Sequence, residues 1–167
     1  MAIGFNADEV LEMAIRIESN GAAFYRKTAG LQSDEKNRDF FESLAAMEDK
    51  HQETFTEMRK TLKEEDKGGK VFDPHGELAL YLASMADSLG GEGSPSAADA
   101  LTGNETLEDI VNIALGLEKD SILFYLGLKN MVPPKYGRDK IEEIIEEERK
   151  HVAQLTGILS KVKQGES

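Results

Sequence analysis

Two short patterns, Glu48-x-x-His51 and Glu148-x-x-His151, lie 100 positions apart in this chain of 167 residues. The same shift carries Glu18 onto Glu118 and Phe24-Tyr25 onto Phe124-Tyr125. Glu and His three apart face the same way on a helix, so each pair can offer one metal ion a carboxylate oxygen and an imidazole nitrogen. Such mixed donors suit iron, manganese or zinc. One Glu-x-x-His in a Glu-rich helix is weak evidence. Two, on core-facing stripes and each matched by a further Glu on a partner helix, make a constellation.

Helices must position these residues, and helical periodicity dominates the chain. The spacing predicts a first helix from Asn6, an N-cap with Glu9 three residues on, to about Gly30. A second runs from Ser33 or Asp34 to about Glu65, before Lys67-Gly68-Gly69. A third follows Asn104 or Thr106 and ends near Asn130, and a fourth fills about Lys135 to Val162 after Pro133-Pro134. The turns at Leu31-Gln32-Ser33 and Val132-Pro133-Pro134 are short, so each flanking pair should be an antiparallel hairpin. Residues 66–103 are too long for a turn and read as a crossover, with Asp73-Pro74 starting a short helix through Leu89 and Gly90 to Pro95 breaking it. The expected fold is all-α: a single domain over 1–167, a four-helix bundle of two antiparallel hairpins joined by a long crossover containing a short helix. The halves 8–60 and 108–160 form an internal repeat, in which Arg38, Asp39, Glu42 and Lys50 also recur.

Placement on the helix separates ligand from surface charge. The core stripe of the second helix reads Phe41, Leu44, Glu48, His51, Phe55, Met58, and that of the fourth Ile141, Ile144, Glu148, His151, Leu155, Ile158. Folding would bring Glu18, Glu48, Glu118 and Glu148 into one core layer. One isolated buried carboxylate already costs several kcal/mol or takes up a proton. Four, with no Lys or Arg on their stripes, need cations or shared protons, and two divalent ions would balance them. Tyr25 and Tyr125 lie two turns beyond Glu18 and Glu118 and lean back towards that layer. They either hydrogen-bond a ligand carboxylate or are core tyrosines satisfied by water or backbone. The run Glu142-Glu143 and Glu146-Glu147 reads as a solvated face, and lone His75 as a surface or capping residue. Methionines such as Met13, Met47 and Met58 read as core filler.

Composition closes off other classes. A net charge of −12 argues against nucleic acid and against an anionic membrane surface. The absence of cysteine excludes disulfides, thiolate zinc and iron–sulfur centres within the chain. No apolar run approaches the roughly 20 residues of a membrane span. Met1-Ala2-Ile3-Gly4-Phe5 lacks the basic and apolar regions of a signal peptide, so a cytoplasmic protein is expected.

These residues resemble the rubrerythrin branch of the ferritin-like di-iron carboxylate superfamily, through Glu18 with Phe24-Tyr25, Glu48-Asp49-Lys50-His51, Glu118 with Phe124-Tyr125, and Glu148-Arg149-Lys150-His151. The resemblance implies a ferritin-like bundle with two iron ions, for which manganese or zinc can substitute. Their ligands would be Glu18, Glu48, His51, Glu118, Glu148 and His151, with Glu48 and Glu148 among the bridging groups and Tyr25 and Tyr125 behind them. It implies an oxidoreductase that reduces hydrogen peroxide or dioxygen, a rubredoxin-like or other electron-donor protein, and a homodimer. The chain departs from the family at two points. Ser121 stands where peroxide-reducing rubrerythrins carry an extra carboxylate, and no cysteines supply a rubredoxin domain. The six residues equally resemble the ferroxidase centre of bacterioferritins, so a ferroxidase for iron storage or detoxification is the alternative. A non-catalytic metal-binding bundle is the third, and nothing points to the organic-substrate pocket of a hydroxylase.

Overall fold

A computed structural model describes residues 6–62, 75–77, 80–82, 84 and 96–165, and among these every regular element is helical. Helix α1 (Ala7–Leu31) opens on a capping box: the Asn6 side chain accepts from Glu9 N at 2.9 Å, and the Glu9 carboxylate accepts from Asn6 N at 2.9 Å. Helix α2 (Glu35–Thr61) is capped by Asp34, and a short α3 (Ala97–Ala100) by Ser96. Helix α4 (Leu107–Met131) begins on the reciprocal pair Thr106 and Asp109, so Thr106 rather than Asn104 is its cap.

The last long helix, α5 (Arg138–Lys163), starts three residues later than its periodicity suggests. A 3₁₀ turn over Pro134–Tyr136 and Gly137, at φ 100°, intervene. A left-handed residue cannot continue a helix, and glycine adopts it without Cβ strain. Helix α2 stops at Thr61, short of the expected Glu65, where Leu62 turns extended. Of the short crossover helix, Glu77, Leu80 to Leu82 and Ser84 are helical, while Asp73, Pro74 and 85–89 lie outside the described residues.

Each hairpin is antiparallel. Arg59 near the end of α2 holds Asp8 at the start of α1 through two hydrogen bonds, of 2.8 and 3.0 Å, and Lys129 of α4 meets Glu142 of α5 at 3.4 Å. The crossover touches both ends of the bundle. Leu82 is fully buried in the core at one end, and Tyr81 donates to the Leu123 carbonyl at 2.5 Å. At the other end Lys27 donates to the Ala98 carbonyl at 2.7 Å. The chain therefore enters α4 at the end where α2 began, and the order is up, down, down, up. Gly127 admits the crossover helix: a Cβ there would stand 3.2 Å from both Leu82 and Tyr81.

Two apolar clusters fill the bundle. One gathers Val10, Leu11, Phe55, Met58, Phe124, Leu128, Ile141 and Ile144, and the other Phe24, Phe41, Leu44, Ile110, Val111, Ala114 and Leu155. Full burial of each large apolar side chain contributes about 1.5–3 kcal/mol. The two ends can thus offset a polar layer held between them. No described helix is long and apolar enough to cross a membrane.

Candidate metal centre

The polar layer lies between those clusters. Glu18 comes from α1, Glu48 and His51 from α2, Glu118 from α4, and Glu148 and His151 from α5, and none is more than 5% exposed. Two groups of donor atoms form within it, each with all members inside 4.8 Å of one another: Glu18, Glu48, His51 and Glu148, and Glu48, Glu118, Glu148 and His151. Glu48 and Glu148 belong to both, which is the arrangement of carboxylates that bridge two ions. The structure thus brings together all six residues that the spacing singled out.

Both imidazoles turn Nδ1 inward. His51 Nδ1 is 3.0 Å from Glu148 and 3.4 Å from Glu18, and His151 Nδ1 is 2.9 Å from Glu148, 3.6 Å from Glu118 and 3.8 Å from Glu48. The rings lie 6.2 Å apart, centroid to centroid. Glu18 Oε2, Glu148 Oε1 and His51 Nδ1 are buried and have no hydrogen-bond partner among the described residues. An unsatisfied buried polar atom costs about 1–3 kcal/mol, more when charged. All three point into one group of donors, so a single cation would engage them together. The residues fit a pair of cations.

Protons must otherwise balance the layer. Burial, the largest influence, pushes the Glu18 and Glu48 carboxyls well up, with repulsion from Glu148 adding to both. Burial and then Glu148 raise Glu118 to about 8. Burial also opposes ionisation of Glu148, but the hydrogen bond from His151 and the close approach of the His51 imidazole win and hold it below the usual carboxylate range. Burial disfavours both imidazolium ions, yet Glu148 raises His51 to about 9, and Glu118 with Glu148 raises His151 to about 10. The result is a set of protons at the places two cations would occupy.

The tyrosines complete the layer from opposite sides. Tyr25 donates its hydroxyl proton to Glu118, and Tyr125 donates to Glu18. Of the two possibilities left by the spacing, the phenols take the carboxylates of Glu118 and Glu18. Burial, reinforced by Glu118 for Tyr25 and by Glu18 for Tyr125, pushes both phenols well up, so they remain donors. The paired bonds exchange under the 100-residue shift. The repeat in sequence is a pseudo-twofold axis through the site.

Two residues escaped the reading of the sequence. Glu147, assigned there to a solvated face, instead bonds His51 Nε2 at 2.6 Å, and its side chain is 39% exposed. Its place three after Ile144 and four before His151 is core-stripe spacing, which was the available signal. The second is Gly21. A Cβ there would stand 3.2 Å from Glu48 Oε2, so glycine makes the room that Glu48 occupies. Its counterpart Ser121 is also small and is buried. His75 is exposed and joins no group of donors among the described residues.

Residues 9–87 match the rubrerythrin family model, a span that contains Glu18, Glu48 and His51. Glu118, Glu148 and His151 lie outside it and join by the internal repeat. The fold is similar to the 2.30 Å crystal structure of a Thermotoga maritima protein described as ferritin-like diiron-carboxylate, with a TM-score of 0.76 and 23% identity over 97% of this chain and 99% of that one. No curated protein is significantly similar in sequence. The fold is thus ferritin-like, and residues 9–87 are similar to the rubrerythrin family.

Proposed function

We propose that the chain is a cytoplasmic non-haem di-iron oxidoreductase that reduces hydrogen peroxide, or dioxygen, with electrons from a separate rubredoxin-like or other donor protein, working as a homodimer. The observation that supports this best is the sharing of Glu48 and Glu148 between two complete groups of donors. Two iron ions held there would supply the two electrons that, with two protons, convert hydrogen peroxide to two waters. Glu18 with His51, and Glu118 with His151, would hold the outer side of each ion. Tyr25 and Tyr125 keep those outer carboxylates oriented and stay protonated. Phe24, Phe41, Phe55 and Phe124, all fully buried, exclude bulk water above and below the layer.

A ferroxidase is the second reading, and two observations favour it. Buried Ser121 offers no seventh carboxylate. An open cleft of about 570 Å³ between α2 and α5 is lined by Glu53, Glu57, Glu143 and Glu147 against Lys50 and Lys140 and reaches His51, and its excess of carboxylates favours cations. Anaerobic Fe(II) loading followed by separate additions of peroxide and oxygen tests both. Rapid oxidation by peroxide, reversed by a reduced donor without iron release, supports the oxidoreductase. Oxygen-driven turnover with iron passing on to a mineral supports the ferroxidase, and redox-silent retention of metal defeats both.

A further inference from the structure

The internal repeat holds at every candidate ligand and breaks one residue before the bridging pair. Glu147 precedes Glu148 on α5, but Met47 precedes Glu48 on α2. Both side chains are half-buried, as the pseudo-twofold axis requires. Only one can accept a strong hydrogen bond: a carboxylate does so fully, whereas a thioether is a weak acceptor. His51 uses the difference. Its Nε2 lies 2.6 Å from Glu147 while its Nδ1 faces Glu18 and Glu148. His151 turns Nδ1 inward in the same way, but among the described residues no side chain bonds its Nε2.

We propose that this break makes the two ion positions unequal, with Glu147 as the positioning residue that makes the His51 position fill first. The proposal rests on the di-metal reading of the site and adds an order of filling to it. Three effects act in one direction. A carboxylate on Nε2–H keeps a proton on that nitrogen, so an arriving cation has only the Nδ1 position to take. It fixes the ring plane and raises the basicity of Nδ1. It also adds a negative charge beside the His51 position that Met47 does not add beside the other. An outer-sphere partner of this kind typically changes metal affinity 10–100-fold. His151, with no such partner among the described residues, has neither its Nε2 proton nor its ring angle fixed when its ion arrives. The His151 position is therefore the later-filled and more readily exchanged of the two.

Unequal binding steps by themselves would not carry the point, since two cations that share Glu48 and Glu148 repel one another in any case. The test must report which histidine is occupied. Protein labelled with ¹⁵N-histidine and titrated with Zn(II), which is redox-silent, provides that by NMR, with exposed His75 as the internal reference. At one equivalent the His51 Nδ1 signal should move to its metal-bound position while His151 remains free, and the second equivalent should move His151. Glu147→Gln should weaken the first step 10–100-fold, with Glu147→Asp restoring part of it. The exchange variant Glu147→Gln with Met47→Glu should reverse the order, so that His151 fills first. Both positions are half-exposed, and a helical circular dichroism spectrum checks folding. Simultaneous filling in the wild-type chain, or an unchanged order in the exchange variant, overturns the proposal while leaving the di-metal reading intact. Failure of the wild-type chain to take up two Zn(II) defeats the di-metal reading itself.

Discussion

The hydroxyl of Tyr25 on α1 donates to Glu118 on α4, across the bundle, and Tyr125 returns the same bond from α4 to Glu18 on α1. The pair clamps the two outer carboxylates and leaves Glu18 Oε2 free to face the neighbouring donors. Replacing either tyrosine with Phe removes the donor and nothing else of size. Each single variant should keep its helix content and lose about tenfold in affinity for one ion, judged from the usual effect of partners behind a ligand. Competition against a chelator measures this, and unchanged affinity in both variants would show that the clamp is inert.

Gly21 separates stability from metal binding. Glycine inside a helix costs about 1 kcal/mol relative to alanine, so Gly21→Ala should favour the bare fold. Its Cβ, however, would press on Glu48 Oε2 from 3.2 Å. The expected outcome is an equal or higher melting temperature without metal, together with weaker uptake of both ions. Melting curves with and without Zn(II) decide it, and a variant that binds metal as well as the wild type would refute the crowding argument.

The shared carboxylates should differ from the outer ones in stoichiometry. Glu48→Gln or Glu148→Gln touches both groups of donors, and uptake should fall from two ions per chain towards none. Glu18→Gln or Glu118→Gln touches one group each and should leave about one ion. Equilibrium dialysis with metal analysis counts them, and two ions retained in Glu48→Gln would remove it from the site.

The response to pH follows from the directions of the shifts. With cations withheld, Glu18, Glu48 and Glu118 hold protons in the folded chain above the pH at which an unfolded chain releases them. The stability they contribute is complete below about pH 4.5 and is lost as pH rises, through about 8 for Glu118. His51 and His151 add stability that is complete below their ordinary 6.5 and lost through about 9 and 10. Glu148 works the other way and loses its contribution only in strong acid. The metal-free melting temperature should therefore fall between pH 5 and pH 9. Cations displace these protons, so the rise on adding Zn(II) should grow over the same range. Parallel curves with and without metal would contradict the proton-for-metal exchange.

Much of the arrangement was legible before any coordinates. The caps Asn6 and Asp34, the short turns and the alternating steps of three and four residues suffice for four long helices, because each is a local property. The 100-residue repeat pairs the candidate ligands, since burying like charges on like stripes leaves few other solutions. The start of α5 was less legible, because Lys135 and Tyr136 continue a helical pattern that Gly137 breaks through its backbone conformation alone. Glu147 was hidden by its acidic neighbours, for composition cannot tell which member of a charged run faces inward.

The amino-acid sequence by itself thus determined an all-helical chain of two similar hairpins, and which six side chains share a layer. Periodicity and spacing act within a helix, so they need nothing beyond it. Tertiary structure alone decided which atoms meet: Tyr25 with Glu118, Glu147 with His51, Glu48 against the open side of Gly21. Those contacts join residues on different helices, and the path of the crossover and the packing of the two apolar ends set their distances. The repeat promises two equal halves, and only the packed bundle shows that His51 has a carboxylate behind it.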